Sequence, residues 1–328
     1  MRFNSVFLRS SVSLVLGAAL MVGTAQAQAE TTECIAPAKP GGGYDLTCRL
    51  AANGLQKTGM IDKPMMVSYM PGGIGAVAYN HVNGVRPDDP NLIVAASTGA
   101  AVNLALGKFG EYDADEVRWL GALGADYGAI VVKTDAPWDN LGALMKDLKT
   151  QPGEIVFGAG GTVGSQDWMK AALTAKAAGI SPRDLRYVAF EGGGESLAAL
   201  LGEHIDVYTG DLSELRSHLE SGTVRVLAAL SEERLEGPYE DIPTAAEQGY
   251  DVQWPIWRGY YMGPEVSDEA YQQWVSKLED LAKNETFAEL REARGLFPMS
   301  RFGDDFDAYV KDQVAEFKGL AKEVGLIK

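Results

Sequence analysis

Three glycine-rich turns hold most of the residues whose types and spacing could do chemistry. They are Lys39-Pro40-Gly41-Gly42-Gly43-Tyr44-Asp45, Pro71-Gly72-Gly73-Ile74-Gly75 and Gly158-Ala159-Gly160-Gly161-Thr162-Val163-Gly164-Ser165. Each falls where a β-rich run gives way to a helical one. Glycine lets the backbone approach a ligand closely and adopt positive φ. The helix that follows presents unpaired N–H groups and a partial positive charge. Together these build an anion site from neutral backbone. The first and third turns, one in each half of the fold, are expected to touch a ligand. The second reads as a plain tight turn.

Enzyme signatures fail on the same stretches. Gly73-Ile74-Gly75-Ala76-Val77-Ala78 has dinucleotide-site spacing, but Ser97 follows the next strand where an acid should read the ribose. The third turn lacks the Gly-Lys-Ser/Thr ending of a phosphate loop, and Gly194-Glu195-Ser196-Leu197-Ala198 lacks the closing Gly of a nucleophile elbow. The histidines, His81, His204 and His218, show no metal-ligand spacing. The expectation is a binding protein with no catalytic residue, metal or cofactor. A hydrolase using Ser165 or Ser196 is the competing class.

The elements that must position these turns alternate. Cys34–Ala36, Met65–Tyr69, Leu92–Ala96, Ile130–Val132, Ile155–Phe157, Leu185–Ala189, Val207–Tyr208 and Val224–Ala228 read as strands. Asp45–Gln56, Ala76–Val82, Leu141–Leu148, Gln166–Ala178, Glu195–Leu201 and Leu212–Leu219 read as helices. This alternation predicts α/β lobes with mainly parallel sheets. The C-terminal part reads as helices over 268–283, 286–293 and 306–324. No long linker separates two halves, so the chain is expected to cross near Asp126–Ala129 and Ser231–Gly237. That places a first lobe at 30–128 and 233–328, and a second at 129–232.

Composition narrows the partners. Lys plus Arg is 29 and Asp plus Glu is 45, a formal charge of −16, which argues against nucleic acid as a partner. Residues 1–29 read as a secretory signal peptide, with Arg2 and Arg9, an apolar run at 11–22, and small-x-small sites ending at Ala27 and Ala29. Cleavage leaves (29 − 2) − 45 = −18. The expected location is the periplasm. Cys34 and Cys48 would then meet an oxidising medium, where an even count favours a disulfide.

At the glycine turns the chain resembles the substrate-binding receptors of the tripartite tricarboxylate transporter, or Bug, family. The carrying segments are Cys34-Ile35-Ala36-Pro37-Ala38-Lys39-Pro40-Gly41-Gly42-Gly43 with Cys48, then Pro71–Gly75, Gln151–Ile155, Gly202–Val207, Ser221–Ala228 and Asp241–Gly249. The cysteine pair resembles the branch associated with tricarboxylates. The resemblance implies a two-lobed, type II-like periplasmic binding fold with the ligand cleft between lobes. It implies capture of a small carboxylate for integral-membrane permease subunits, with the receptor expected to be a monomer; a sensor subunit is the alternative. It also implies a ligand set of Gly42, Gly43, Tyr44, Asp45, Ser97, Thr98, Gly161, Thr162, Gly164, Ser165, Glu191, Gly192, Gly193 and Asp211. Glu191 departs from the Lys that the family often places before its glycine pair. Arg258 carries two readings: a grip on a second carboxylate, or a salt bridge to one of the chain's many acids.

Overall fold

The computed structural model describes residues 1, 31–323 and 325–327. The expected leader, Met1 apart, lies outside the described residues. Short apolar runs become strands and amphipathic stretches become helices. The first segment contains β1 (Glu33–Ala36), α1 (Gly43–Lys57), β2 (Met66–Tyr69), α2 (Ala76–Gly84), β3 (Leu92–Ser97), α3 (Thr98–Ala105) and β4 (Arg118–Tyr127). The middle contains β5 (Ala129–Lys133), α4 (Leu141–Thr150), β6 (Val156–Gly160), α5 (Gln166–Ala177), β7 (Arg186–Phe190), α6 (Gly193–Leu201), β8 (Val207–Tyr208), α7 (Arg216–Glu220) and β9 (Val224–Ala229). The last contains β10 (Pro255–Met262), α8 (Asp268–Ala282), α9 (Glu285–Ala293), β11 (Arg301–Phe302) and α10 (Gly303–Glu323).

Two sheets form. One has the order β11-β4-β10-β3-β1-β2 and the other β7-β6-β8-β5-β9. β1, β2 and β3 are parallel, as are β6, β7 and β8. β10 lies antiparallel between β3 and β4, and β5 is antiparallel to both β8 and β9. The sheets are therefore mixed, not mainly parallel. In the second sheet the antiparallel member is β5, and in the first the difference comes from β4 and β10, long strands that periodicity does not reveal. β4 is Gly- and Ala-rich, and β10 starts at a proline and buries an arginine. By contrast β3 is apolar up to its closing Ser97 and buried at every position, as a strand covered on both faces should be.

The chain leaves the first sheet through Gly128, between β4 and β5. The return crossing lies at Gln253–Pro255, C-terminal to the expected Ser231–Gly237. Before it, the Ala245 N–H donates to the Ala229 carbonyl, and the Gln248 side chain donates to that of Leu227. Both crossings are stitched together: Gly128 N–H donates to Trp254 O at 3.0 Å, Leu230 N–H to Gly128 O at 2.8 Å, and Trp254 N–H to Leu230 O at 2.7 Å. Side-chain caps start the helices that face the cleft, with Ser97 accepting from the Gly99 N–H and Ser165 from the Trp168 N–H. The disulfide pairs Cys34 on β1 with Cys48 on α1, Cα atoms 5.6 Å apart. It braces the first glycine turn between them.

Candidate ligand cleft

Ligands of open α/β sheets bind beyond the carboxyl ends of strands. Here the turns after β1, β2 and β6, the loop after α3 and the turn between β7 and α6 converge from both sheets. They enclose a cleft of about 520 Å³ lined by Lys39, Gly73, Ile74, Asn103, Lys108, Gly161, Thr162, Ser165, Phe190, Glu191 and Glu195. A narrow floor of about 40 Å³ lies among Gly42, Gly43, Tyr44, Ser97, Gln166, Asp167, Gly192, Gly193, Asp211, Glu214 and Arg258. Ile74 and Glu191 line both. The walls nearly touch: Lys39 Nζ is 3.1 Å from Glu195 Oε1, and Lys108 Nζ donates to Val163 O at 3.1 Å.

Twelve of the expected residues thus meet in one place, and three do not line it. Asp45 accepts from Gly41 N–H at 2.9 Å, Arg49 Nε at 2.7 Å and Tyr69 OH at 2.8 Å, so its carboxylate belongs to the base of α1. Thr98 Oγ1 accepts the Trp257 N–H at 3.1 Å and holds β10 to α3. Gly164 sits behind the lining, where an added Cβ would fall 3.2 Å from Leu106. Some expected backbone donors are also spent. The Gly161 N–H donates to Phe190 O and the Ser165 N–H to Thr162 O, both at 2.8 Å. Among the described residues, the N–H groups of Thr162, Val163 and Gly164 have no backbone acceptor.

The cleft also holds a cation from outside the glycine turns: Lys108 lies against the third turn, and burial pushes that ammonium's pKa down. Lys108 follows α3, whose short run Thr98–Ala105 carries no clear helical period. Nor is the second turn a bystander. Ile74 takes φ +43°, rare for a β-branched residue, and its carbonyl accepts from Asn103 Nδ2 at 2.9 Å. This delivers its side chain into the cleft.

Beneath the floor is a buried charge cluster that sequence reasoning glimpsed only at Asp211 and Arg258. Lys170 Nζ contacts Asp167 at 2.7 Å and also Asp211. Arg258 Nη2 donates to Asp126 and to Asp211, both at 2.6 Å. The salt-bridge reading of Arg258 therefore describes Nη2. Nη1 faces Gly43, where an added Cβ would lie 2.1 Å away, so the floor needs glycine there. Burial pushes Asp167 up to about 6, with Asp211 adding to the rise and Lys170 opposing it. Burial opposes ionisation of Asp211 too, but Lys170 and Arg258 together hold it below the usual carboxylate range. The pairings come from register: β10 sets Arg258 opposite Ser97 and Gly124, and Asp211 bridges to Gly128.

Comparison with known proteins decides the lineage. Residues 47–326 match the tripartite tricarboxylate transporter family receptor. The chain belongs to this family. Among relatives of this receptor, the protein BugT of Bordetella pertussis is 25% identical over 302 residues, covering 90% of each chain. Solved structures share the two-lobed periplasmic-binding fold. MatC from Rhodopseudomonas palustris, with bound malate, aligns at TM-score 0.79 with 18% identity over 88% of this chain and 98% of that one. An R. palustris protein solved with adipate aligns at TM-score 0.82 with 19% identity over 90% and 97%. In the receptor described here, both serines weighed as nucleophiles have structural duties. Ser165 caps α5, and Ser196 is fully buried with its hydroxyl donated to Gly192 O.

Proposed function

We propose that this receptor captures a small carboxylate in the cleft between its lobes, in the periplasm, and passes it to the membrane permease of a tripartite tricarboxylate transporter. One observation carries the reading: helix-starting turns from both sheets meet across a single cleft with Lys39 and Lys108 at its mouth. The Thr162 backbone N–H, the Thr162 hydroxyl and Lys108 then address one carboxylate. Arg258 Nη1 and the Gly42–Tyr44 turn address a second group at the floor. Charge-assisted bonds of this kind are stronger than neutral ones. The malate and adipate bound by structural relatives support the ligand class.

The test is a thermal-shift and calorimetric screen of citrate, malate and adipate, since a ligand that binds only the folded state raises its melting point. A saturable shift with one of them supports the reading; no shift with any overturns it. Delivery is tested by transport of the same acid in cells with and without the receptor. Mass spectrometry of exported protein should find a terminus after Ala27 or Ala29.

A further inference from the structure

The cluster under the cleft floor does not balance. Four carboxyl groups, those of Asp126, Asp167, Asp211 and Glu214, share two cations, Lys170 and Arg258. Lys170 is spent on Asp167 and Asp211, and Arg258 on Asp126 and Asp211. Asp126 also accepts from Ser213 Oγ at 2.5 Å and from the Tyr127 N–H at 2.8 Å, and Asp167 accepts the Gly160 N–H at 2.9 Å. Glu214 has none of this help. Among the described residues its hydrogen-bond partner is the Tyr208 hydroxyl, which donates to Oε2, and no cation lies within ion-pair distance. It nevertheless lines the cleft floor, pressed so closely on Gly193 that a Cβ there would fall 2.0 Å from Oε2.

A covered carboxylate without a counter-ion, beside others that hold theirs, sheds its charge by taking a proton. We propose that Glu214 is the specificity-determining residue of the cleft floor: a neutral carboxyl at neutral pH that donates its O–H to an oxygen of the bound acid. This rests on the carboxylate reading of the cleft. An ionised Glu214 would repel an incoming carboxylate, whereas the neutral form supplies a donor on the floor beside Arg258. The proton remains on Glu214 and is shared through the hydrogen bond, so no bond breaks.

The groups facing Glu214 agree. Tyr208 comes from β8, Asp211 from the start of its own turn, Arg258 from β10 and Asp167 from α5, with Asp126 and Lys170 behind them. Burial first, then Asp211 and Asp167, favour the proton, and Arg258 and the hydrogen bond from Tyr208 oppose it; the balance raises Glu214 to about 8. A bound anion adds to the same side. Affinity should therefore be flat below that value and fall above it, by about tenfold per pH unit in the limit.

The test has two arms on the purified protein. Without ligand, the infrared difference between wild type and Glu214→Gln should show one protonated-carboxyl carbonyl band at neutral pH that disappears in alkali. Absence of that band, or its persistence in Glu214→Gln, overturns the proposal. With citrate, malate and adipate as probes, Glu214→Gln, whose amide still donates, should bind within a few-fold of wild type and lose the alkaline fall. Glu214→Ala should lose about tenfold or more. An alkaline fall identical in wild type and Glu214→Gln overturns the donor role. If none of the three acids binds, the carboxylate reading fails and the donor role with it, while the infrared band still decides where the proton resides.

Discussion

Arg258→Ala should cripple the fold before it says anything about ligand. The guanidinium is 1% exposed, and the carboxylates of Asp126 and Asp211 sit against it in residues 0% and 3% exposed. Truncation leaves Asp126 with no cation and Asp211 with Lys170 alone. Removing one partner of a buried ion pair costs about 3–5 kcal/mol, because an uncompensated charge stays behind. That is a large part of the roughly 5–15 kcal/mol that holds a native domain together. At about 2–4 °C per kcal/mol, the melting temperature should drop by about 6–20 °C. The sign with pH follows from the same loss. Without Arg258 the two carboxyls bind protons more tightly folded than unfolded, so the variant recovers stability as pH falls toward the ordinary carboxylate pKa of about 4. Calorimetric melts of wild type, Arg258→Lys and Arg258→Ala at neutral pH and near pH 5 measure both effects. A melting temperature within about 2 °C of wild type, with the same pH dependence, would refute the counter-ion role. If such a stable variant no longer bound any carboxylate, Arg258 would be a ligand contact and nothing more.

Replacing both Cys34 and Cys48 by serine should cost about 3 kcal/mol in the chain-entropy model, read as a lower urea midpoint with an unchanged slope; an unchanged midpoint counts against it. Gly161→Val places a β-branched residue at φ +83°, with its Cβ 2.6 Å from that of Ser165. It should distort the third turn and weaken binding of whichever of citrate, malate and adipate is the ligand by tenfold or more, and wild-type affinity by calorimetry would show that the turn does not touch it. Lys108→Met should lose about 1.5–3 kcal/mol of binding free energy, the worth of a charge-assisted hydrogen bond. An affinity equal to wild type would place the ligand away from the third turn.

Much of this molecule is local and was therefore readable. The short strands and their following helices are set by apolar runs and caps, so Leu92–Ala96 and Gln166–Ala178 lie within a residue of β3 and α5 at each end. The glycine turns announced themselves by composition, and the cysteines by number and compartment. What escaped was decided by contacts between distant segments. β4 and β10 have no period of their own and exist because each pairs with the other and with a third strand. The same pairing brings Asp126 and Arg258, 132 residues apart in sequence, to 2.6 Å. Asp45 looks like a ligand contact in its turn, but Arg49 and Tyr69 claim its oxygens.

Lys108 and Glu214 show the same limit within the cleft. A lysine after an unremarkable Ala-rich run, or a glutamate in Asp211-Leu212-Ser213-Glu214, carries no local mark of function. Their roles depend on which oxygens, cations and glycines stand nearby once both sheets have closed on each other. Sequence alone determined the lineage, the α/β architecture and the glycine turns that start helices at strand ends, because those depend on neighbouring residues. Tertiary structure alone decided which charges are paired, which donors are already spent and which carboxyl is left without a cation, because Coulomb and desolvation energies depend on distance and burial in space and not on separation along the chain.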